Sequence, residues 1–233
     1  DISTAKSITI STEHELSNLQ LSFPIVVKPA DRSAGRGVTL VKNKVELVSA
    51  YRDACSQANN KMVLVEEYVQ GKQYSVEVLT NNGIHHLLGI TEEYFINEKQ
   101  FVESHHLFPS QHEENLVNKY KSVFHKLLDA FKINFGATHI EFRIDGENNI
   151  KIIEIASRMG GWRDRLLKIA KNLDYNDLII DAVTNKSINI KNISTCYALS
   201  KNVFNYKDFI HFIEINNKFP DVTVIQPPSE VSR

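Results

Sequence analysis

Residues 136–161 read GATHIEFRIDGENNIKIIEIASRMGG. The run GATHIEFRI alternates apolar and polar side chains in the manner of a strand, DGENN is a tight turn, and IKIIEI is a returning strand. This makes an antiparallel pair with one glutamate on each arm, Glu141 and Glu154. Counted back from the turn, both carboxylates can project to one face, with Ile140, Phe142, Ile153 and Ile155 on the other. Two partly buried like charges repel, so such a pair is costly unless a cation sits between them. Hard oxygen ligands of this kind suit Mg²⁺. Arg158 follows four residues after Glu154, where a guanidinium could bear on phosphoryl oxygens. The competing reading is two outward glutamates facing water, and spacing alone leaves both open.

Working outward, residues 22–41 read SFPIVVKPADRSAGRGVTLV. The β-branched run 25–27 predicts a buried strand, 30–37 a glycine-rich loop, and 38–41 a second strand. A lysine ending a buried strand, Lys28, beside a loop whose glycines let backbone N–H groups approach an anion, suits a polyphosphate. No GKS/T follows, so this is not a Walker motif. A hairpin tip with a solvated lysine is the plainer reading of the loop alone. Residues 66–73, EEYVQGKQ, carry a strand into a polar link where adenine could pair with free backbone groups, or where charged side chains simply meet water. Helices are expected at 44–58, with Val45, Val48, Ala54 and Cys55 on one face, at 113–131, and once or twice within 164–183. Residues 74–79 alternate like a half-buried strand, and Asn82-Gly83 signals a hairpin answered by 84–90. Beyond residue 188, strand-like pieces at 195–199 and 222–225 flank a helix at 208–215. The fold class is α+β.

The chain has 233 residues, with 27 Lys+Arg against 28 Asp+Glu and a net charge of −1. That balance argues against a phosphate-neutralising nucleic-acid surface. No apolar run approaches the ~20 residues of a membrane span. Two cysteines, Cys55 and Cys196, neither with a second cysteine at metal spacing, fit a reducing, cytoplasmic setting and no zinc knuckle.

The ordered set FPIVVKPA with GRGV, VEEYVQG with QYSVE, GATHIEFRID, and IIEIASRMGG, from about residue 23 to 181, resembles the ATP-grasp superfamily. Within it the sequence is most similar to the carbamoyl-phosphate-synthase-like carboxylate–amine ligases, L-amino-acid ligases among them. The resemblance implies two α+β subdomains with antiparallel sheets enclosing a nucleotide cleft: residues 1–70, with a lid hairpin at 22–41; residues 71–186, with the metal site; and 187–233, a C-terminal extension opening a further small α+β subdomain. It also implies that the chain is the ATP-grasp region of a longer enzyme whose N-terminal domain lies elsewhere in the polypeptide.

The implied activity is ATP-dependent C–N ligation through an acyl phosphate, with ATP and Mg²⁺ (Mn²⁺ as an alternative), a small-molecule carboxylate and an amine such as amino acids. Neither nucleic acid nor membrane is an expected partner. Position by position, Lys28 matches the phosphate-binding lysine and, with Arg158, the catalytic pair. Ser33, Ala34, Gly35 and Gly37 match the lid; Glu66, Glu67, Tyr68 and Val69 the adenine hinge; Gln73 the ribose position, where an acid is usual; Glu141 and Glu154 the metal carboxylates. Ala156 stands where many members have Asn. Glu103, His105, His139, Gly160, Gly161 and Trp162 border the implied substrate cleft. Arg163 and Arg165 read either as substrate-carboxylate ligands or as surface charges at a helix start. The alternatives are a non-catalytic nucleotide-binding module, or chemistry of the carbamoyl-phosphate-synthase or biotin-carboxylase kind.

Overall fold

The computed structural model describes residues 2–33, 35–97, 100–190 and 194–219. Ala34 and the strand-like piece at 222–225 lie outside the described residues. Chain contacts separate Asp1–Ser200 from Lys201–Arg233.

The larger unit opens with β1 (Ser7–Ile10) and a 3₁₀ turn (Glu13–Asn18), followed by β2 (Ile25–Pro29), β3 (Thr39–Val41), α1 (Lys44–Gln57) and β4 (Val63–Glu67). Ile25 and Val27 of β2, with Val63 and Val65 of β4, point to one side and pack with Leu47, Ala50, Tyr51 and Ala54 of α1. The intervening residues, Lys28 and Glu66 among them, face the other way. Asn43 caps α1 by accepting from the backbone N–H groups of Val45 and Glu46, a typical N-cap bond. The buried stripe of α1 differs from the expected one. Val45 is 90% exposed and Val48 is exposed, because the i, i+3, i+4, i+7 row through Leu47 carries more apolar surface and takes the core.

Next come β5 (Lys72–Asn81), β6 (Ile84–Asn97), β7 (Gln100–Phe108), α2 (Glu113–Ala130), β8 (Phe135–Ile144), β9 (Ile150–Ala156), α3 (Arg163–Lys171) and α4 (Tyr175–Val183), and a short strand, β10 (Ala198–Lys201), follows. Strands β1–β9 lie in the order β1-β4-β2-β3-β7-β6-β5-β8-β9 with antiparallel neighbours. One face of β5, β8 and β9 packs on α2 through Tyr74, Val76, Phe124, Leu128, Ile140 and Phe142.

β5 departs from the half-buried expectation: Gln73 through Thr80 are all buried. Its polar alternates Gln73, Ser75 and Glu77 look into a covered polar layer, where Gly160 and Arg163 after β9 bond Glu77 and Ser75. In the smaller unit the expected helix is α5 (Tyr206–Lys218). None of the described helices is long and apolar enough to cross a membrane.

Candidate active site

The polar layer grows from period-two alternation on three adjoining strands. Gln73, Ser75 and Glu77 of β5 pair in register with Arg143, Glu141 and His139 of β8, so six polar residues share one face. Glu93 of β6 stands opposite Gln73. Gln73 Nε2 donates to Glu93 Oε2 (2.9 Å) and Glu141 Oε2 (3.1 Å), while its Oε1 accepts from Arg143 Nε (3.0 Å). Both ends of the Gln73 amide are therefore taken up inside the protein.

Glu77 is fully buried. It holds His139 Nδ1 at 2.5 Å and accepts from the backbone N–H of Gly160. Arg163 donates to Glu93 Oε1 (2.9 Å), Ser75 Oγ (3.1 Å) and the Gly161 carbonyl (3.0 Å). Arg163 is neither a surface charge nor an open substrate ligand: at 2% exposure it is the internal counter-charge for Glu93 and, at 3.9 Å, Glu77.

Glu154 is the register partner of Glu141. Even pairing counted from the turn would set Ile153 there. A bulge in which Ile153 is the extra residue moves Glu154 into place, and directly opposed residues of an antiparallel pair share a face. Burial, then the Glu93 charge, push the Glu141 carboxyl up to about 7; His139 opposes the rise and Glu154 adds to it. For His139, burial acts to lower the value. Hydrogen bonds to Glu141 and Glu77 and the charges of both carboxylates outweigh it and lift the imidazole to about 10. A carboxylate held this far from its ordinary range beside two further acids fits a divalent cation. Glu141, Glu154 and Glu93 could hold one.

The other expected residues lie around this layer. Lys28 Nζ is 2.6 Å from Glu66 Oε2 on the open face of β2 and β4. The Glu67 backbone N–H donates to the Lys6 carbonyl, and that of Tyr68 to Pro24. The Val69 carbonyl accepts from Arg143 Nη1 (2.9 Å). The lid tip meets β7: a Cβ on Gly35 would fall 2.5 Å from the Phe101 carbonyl, and its φ is +66°. Gly37 packs beside Pro29 and Gln57, and the Ser33 carbonyl accepts from Arg36.

Arg158 is exposed, with Nη1 on the Met159 carbonyl. Gly161 borders open space. Trp162 is 43% exposed in a left-handed conformation, under the Arg165 guanidinium at 5.0 Å. His105 stacks on Tyr94 with ring centroids 4.2 Å apart, and Glu103 lies 3.0 Å from His106. The structure thus joins Gln73, His139, Glu141 and Gly160 in one network. Lys28 and the lid glycines stand on the neighbouring elements.

A cleft of about 590 Å³ opens beside the network, lined by Tyr68, Gln73, Glu93, Phe95, Phe101 and Arg143. The Arg143 guanidinium sits 5.1, 5.9 and 5.7 Å from the Tyr68, Phe95 and Phe101 rings, a cation–π arrangement. The internal roles of Glu77, Glu93, His106, Arg143 and Arg163 go beyond the sequence reading, in which Arg163 is a substrate-carboxylate ligand or a surface charge at a helix start. For Glu77 and Arg143 the signal was present, since each lies in the same period-two row as an expected residue. For the other three, only the way the strands come together reveals the role.

This geometry agrees with what the chain is similar to. A D-alanine–D-alanine ligase of Thermosipho africanus is 28% identical over 151 residues, covering 60% of this chain and 40% of that protein. The L-amino acid ligase of Bacillus licheniformis superposes with a TM-score of 0.72 at 21% identity, covering 88% of this chain and 50% of that one. The N5-carboxyaminoimidazole synthetase of Staphylococcus aureus complexed with ADP superposes at 0.77, with 20% identity and coverage of 94% and 57%. The chain spans about half the length of the curated relatives it matches. Residues 21–165 match the ATP-grasp domain, and with the opposed glutamates, the lysine strand and the glycine lid in place, the chain belongs to the ATP-grasp family.

Proposed function

We propose that this chain is the nucleotide-binding part of an ATP-dependent carboxylate–amine ligase. Residues 1–70 and 71–186 are read as the two halves of the grasp, and 187–233 as the start of a further subdomain. The single observation that carries the reading is Glu141 opposite Glu154, with the Glu141 carboxyl raised to about 7. Such a pair is relieved by a cation.

In this reading Lys28 exchanges its Glu66 partner for phosphate oxygens, which its ammonium attracts as a point charge. The lid of Ser33, Ala34, Gly35 and Gly37 covers the phosphates with backbone N–H groups. Glu66, Glu67, Tyr68 and Val69 border adenine, with backbone groups other than the Glu67 and Tyr68 N–H and the Val69 carbonyl, which are bonded within the protein. The Tyr68 and Phe101 rings and Arg143 wall the cleft. Gln73 acts through Glu141, holding that carboxylate in place. Glu141 and Glu154 hold Mg²⁺ or Mn²⁺, which when bound offsets charge on the transferring phosphoryl group.

Exposed Arg158 bears on the same oxygens. The reaction converts a carboxylate into an acyl phosphate, and an amine then displaces phosphate. Glu103, His105, His139, Gly160, Gly161 and Trp162 border the space where the carboxylate and amine, amino acids among them, would bind. Free Cys55 and Cys196 fit a cytoplasmic setting.

Two measurements test this. Calorimetry of the chain with a non-hydrolysable ATP analogue is expected to show tighter binding with Mg²⁺, an effect lost in Glu154→Gln; binding indifferent to Mg²⁺ would refute the metal role and favour a non-catalytic nucleotide module. In the full-length protein, Arg158→Ala is expected to lower turnover by about three orders of magnitude or more while nucleotide affinity stays within about tenfold. Normal turnover would remove Arg158 from the mechanism.

A further inference from the structure

The β6–β7 arm carries a second constellation, separate from the opposed glutamates on β8 and β9. Glu93 and His106 are register partners on β6 and β7, so both point into the covered layer. Glu103 is three residues before His106, and in an even strand those two side chains would face opposite ways. They do not, because Tyr94 pairs with His105 and Phe95 with Glu103, leaving Ser104 as the extra residue of a bulge. Ser104 Oγ anchors that bulge on the Tyr94 carbonyl (3.0 Å). A bulge of this type re-aims a side chain, and here it brings a carboxylate, an imidazole and a second carboxylate together with their ligand atoms all within 4.8 Å of one another.

His106 makes this more than an acidic cluster. Its side chain is 5% exposed, and Nε2 lies 3.0 Å from Glu103 Oε2. Apart from that ion pair, Nε2 is buried without a well-formed hydrogen bond, and a cation between the two groups would serve both. Glu93 accepts one bond on each oxygen, from Arg163 and from Gln73, and each carboxylate oxygen keeps a second lone pair. The Glu103 side chain is 39% exposed and gives the cluster its opening to water.

We propose that Glu93, Glu103 and His106 form a binding site for a borderline divalent ion of the Zn²⁺ type. An organic ammonium would be served by the two carboxylates and gain nothing from the imidazole. Mg²⁺ prefers oxygen shells, whereas an imidazole nitrogen beside carboxylates suits Zn²⁺ and its neighbours. The site needs no nucleotide, but it shares Glu93 with the cation site read between Glu141 and Glu154, and Glu154→Gln tells the two apart.

The test is calorimetric titration of the chain with Zn²⁺ in nucleotide-free buffer, with Co²⁺ absorption as a reporter of the imidazole ligand. The expected result includes a site whose affinity falls at least about tenfold in His106→Gln and in Glu103→Gln but is unchanged in Glu154→Gln, which affects only binding at the opposed glutamates. Glu103, being partly exposed, keeps the test decisive if His106→Gln does not fold. Absence of Zn²⁺ binding, a loss under tenfold in the variants that fold, or loss of the site in Glu154→Gln would each overturn the proposal.

Discussion

Replacing Gly160 with alanine is expected to disturb the buried network at its tightest point. A Cβ there would lie 2.6 Å from His139 Nδ1 and 2.7 Å from Glu77 Oε1, where ordinary contact begins at 3.4 Å. The imidazole or the carboxylate must therefore retreat by about 0.8 Å. Neither is free to do so. Glu77 is fully buried and holds both His139 Nδ1, at 2.5 Å, and the Gly160 N–H. Hydrogen bonds to charged groups contribute about 1.5–3 kcal/mol, and overpacking a filled interior costs about 1–3 kcal/mol.

Losing the first and adding the second puts the destabilisation at about 2.5–6 kcal/mol. For a unit of this size that is a fall in melting temperature of about 5–24 °C. The control is one residue away: a Cβ on Gly161 meets nothing within 4 Å, so Gly161→Ala is expected to stay within about 0.5 kcal/mol of the parent. Thermal and urea unfolding followed by circular dichroism would compare the two. Equal melting temperatures for both variants, within about 2 °C, would refute the packing described here.

Arg163→Met is expected to destabilise by about 3–5 kcal/mol, because it leaves Glu93 buried without its counter-charge while Glu77 keeps His139; urea titration reads this, and a change under about 1 kcal/mol would contradict it. Arg143→Lys is not conservative, since an ammonium cannot bridge Gln73 and the Val69 carbonyl within the aromatic ring set. It is expected to lower stability by at least about 2 kcal/mol and to weaken binding of the ATP analogue, both measurable on the same sample. Glu92 accepts from Tyr94 OH (2.6 Å), Ser110 Oγ (2.9 Å) and the Gln111 N–H (2.9 Å). Burial acts to raise its carboxyl, but those three bonds outweigh it and hold the value below 4.5. A depressed carboxylate contributes stability that is present above its unfolded value and lost as pH falls through the folded one. Unfolding curves of the parent and Glu92→Gln are therefore expected to lie apart at pH 7 and to draw together as pH falls below 4.5; parallel curves would count against the assignment.

Much of the architecture is written locally. The β-branched run ending in Lys28, the glycine lid, the Asp145–Asn149 turn and the heavy apolar row of α2 each carry their own short-range reason. Those features suffice for the α+β class and for the elements on which Lys28, Glu141 and Glu154 stand. Three things were decided only when the strands met. The polar side of β5 is a buried floor on which the Gly160–Arg163 turn sits, and no alternation pattern says whether water or protein lies on its polar face. Arg163 reads as a substrate-carboxylate ligand or a helix-start surface charge, yet the carboxylates that claim it come from strands about seventy and eighty-six residues earlier in the sequence. Most consequential are the bulges at Ile153 and Ser104. One residue of slip turns a side chain to the opposite face of a sheet. The position of that slip depends on how long-range neighbours pack, so the placing of Glu154 against Glu141, and of Glu103 beside His106, belongs to the tertiary structure.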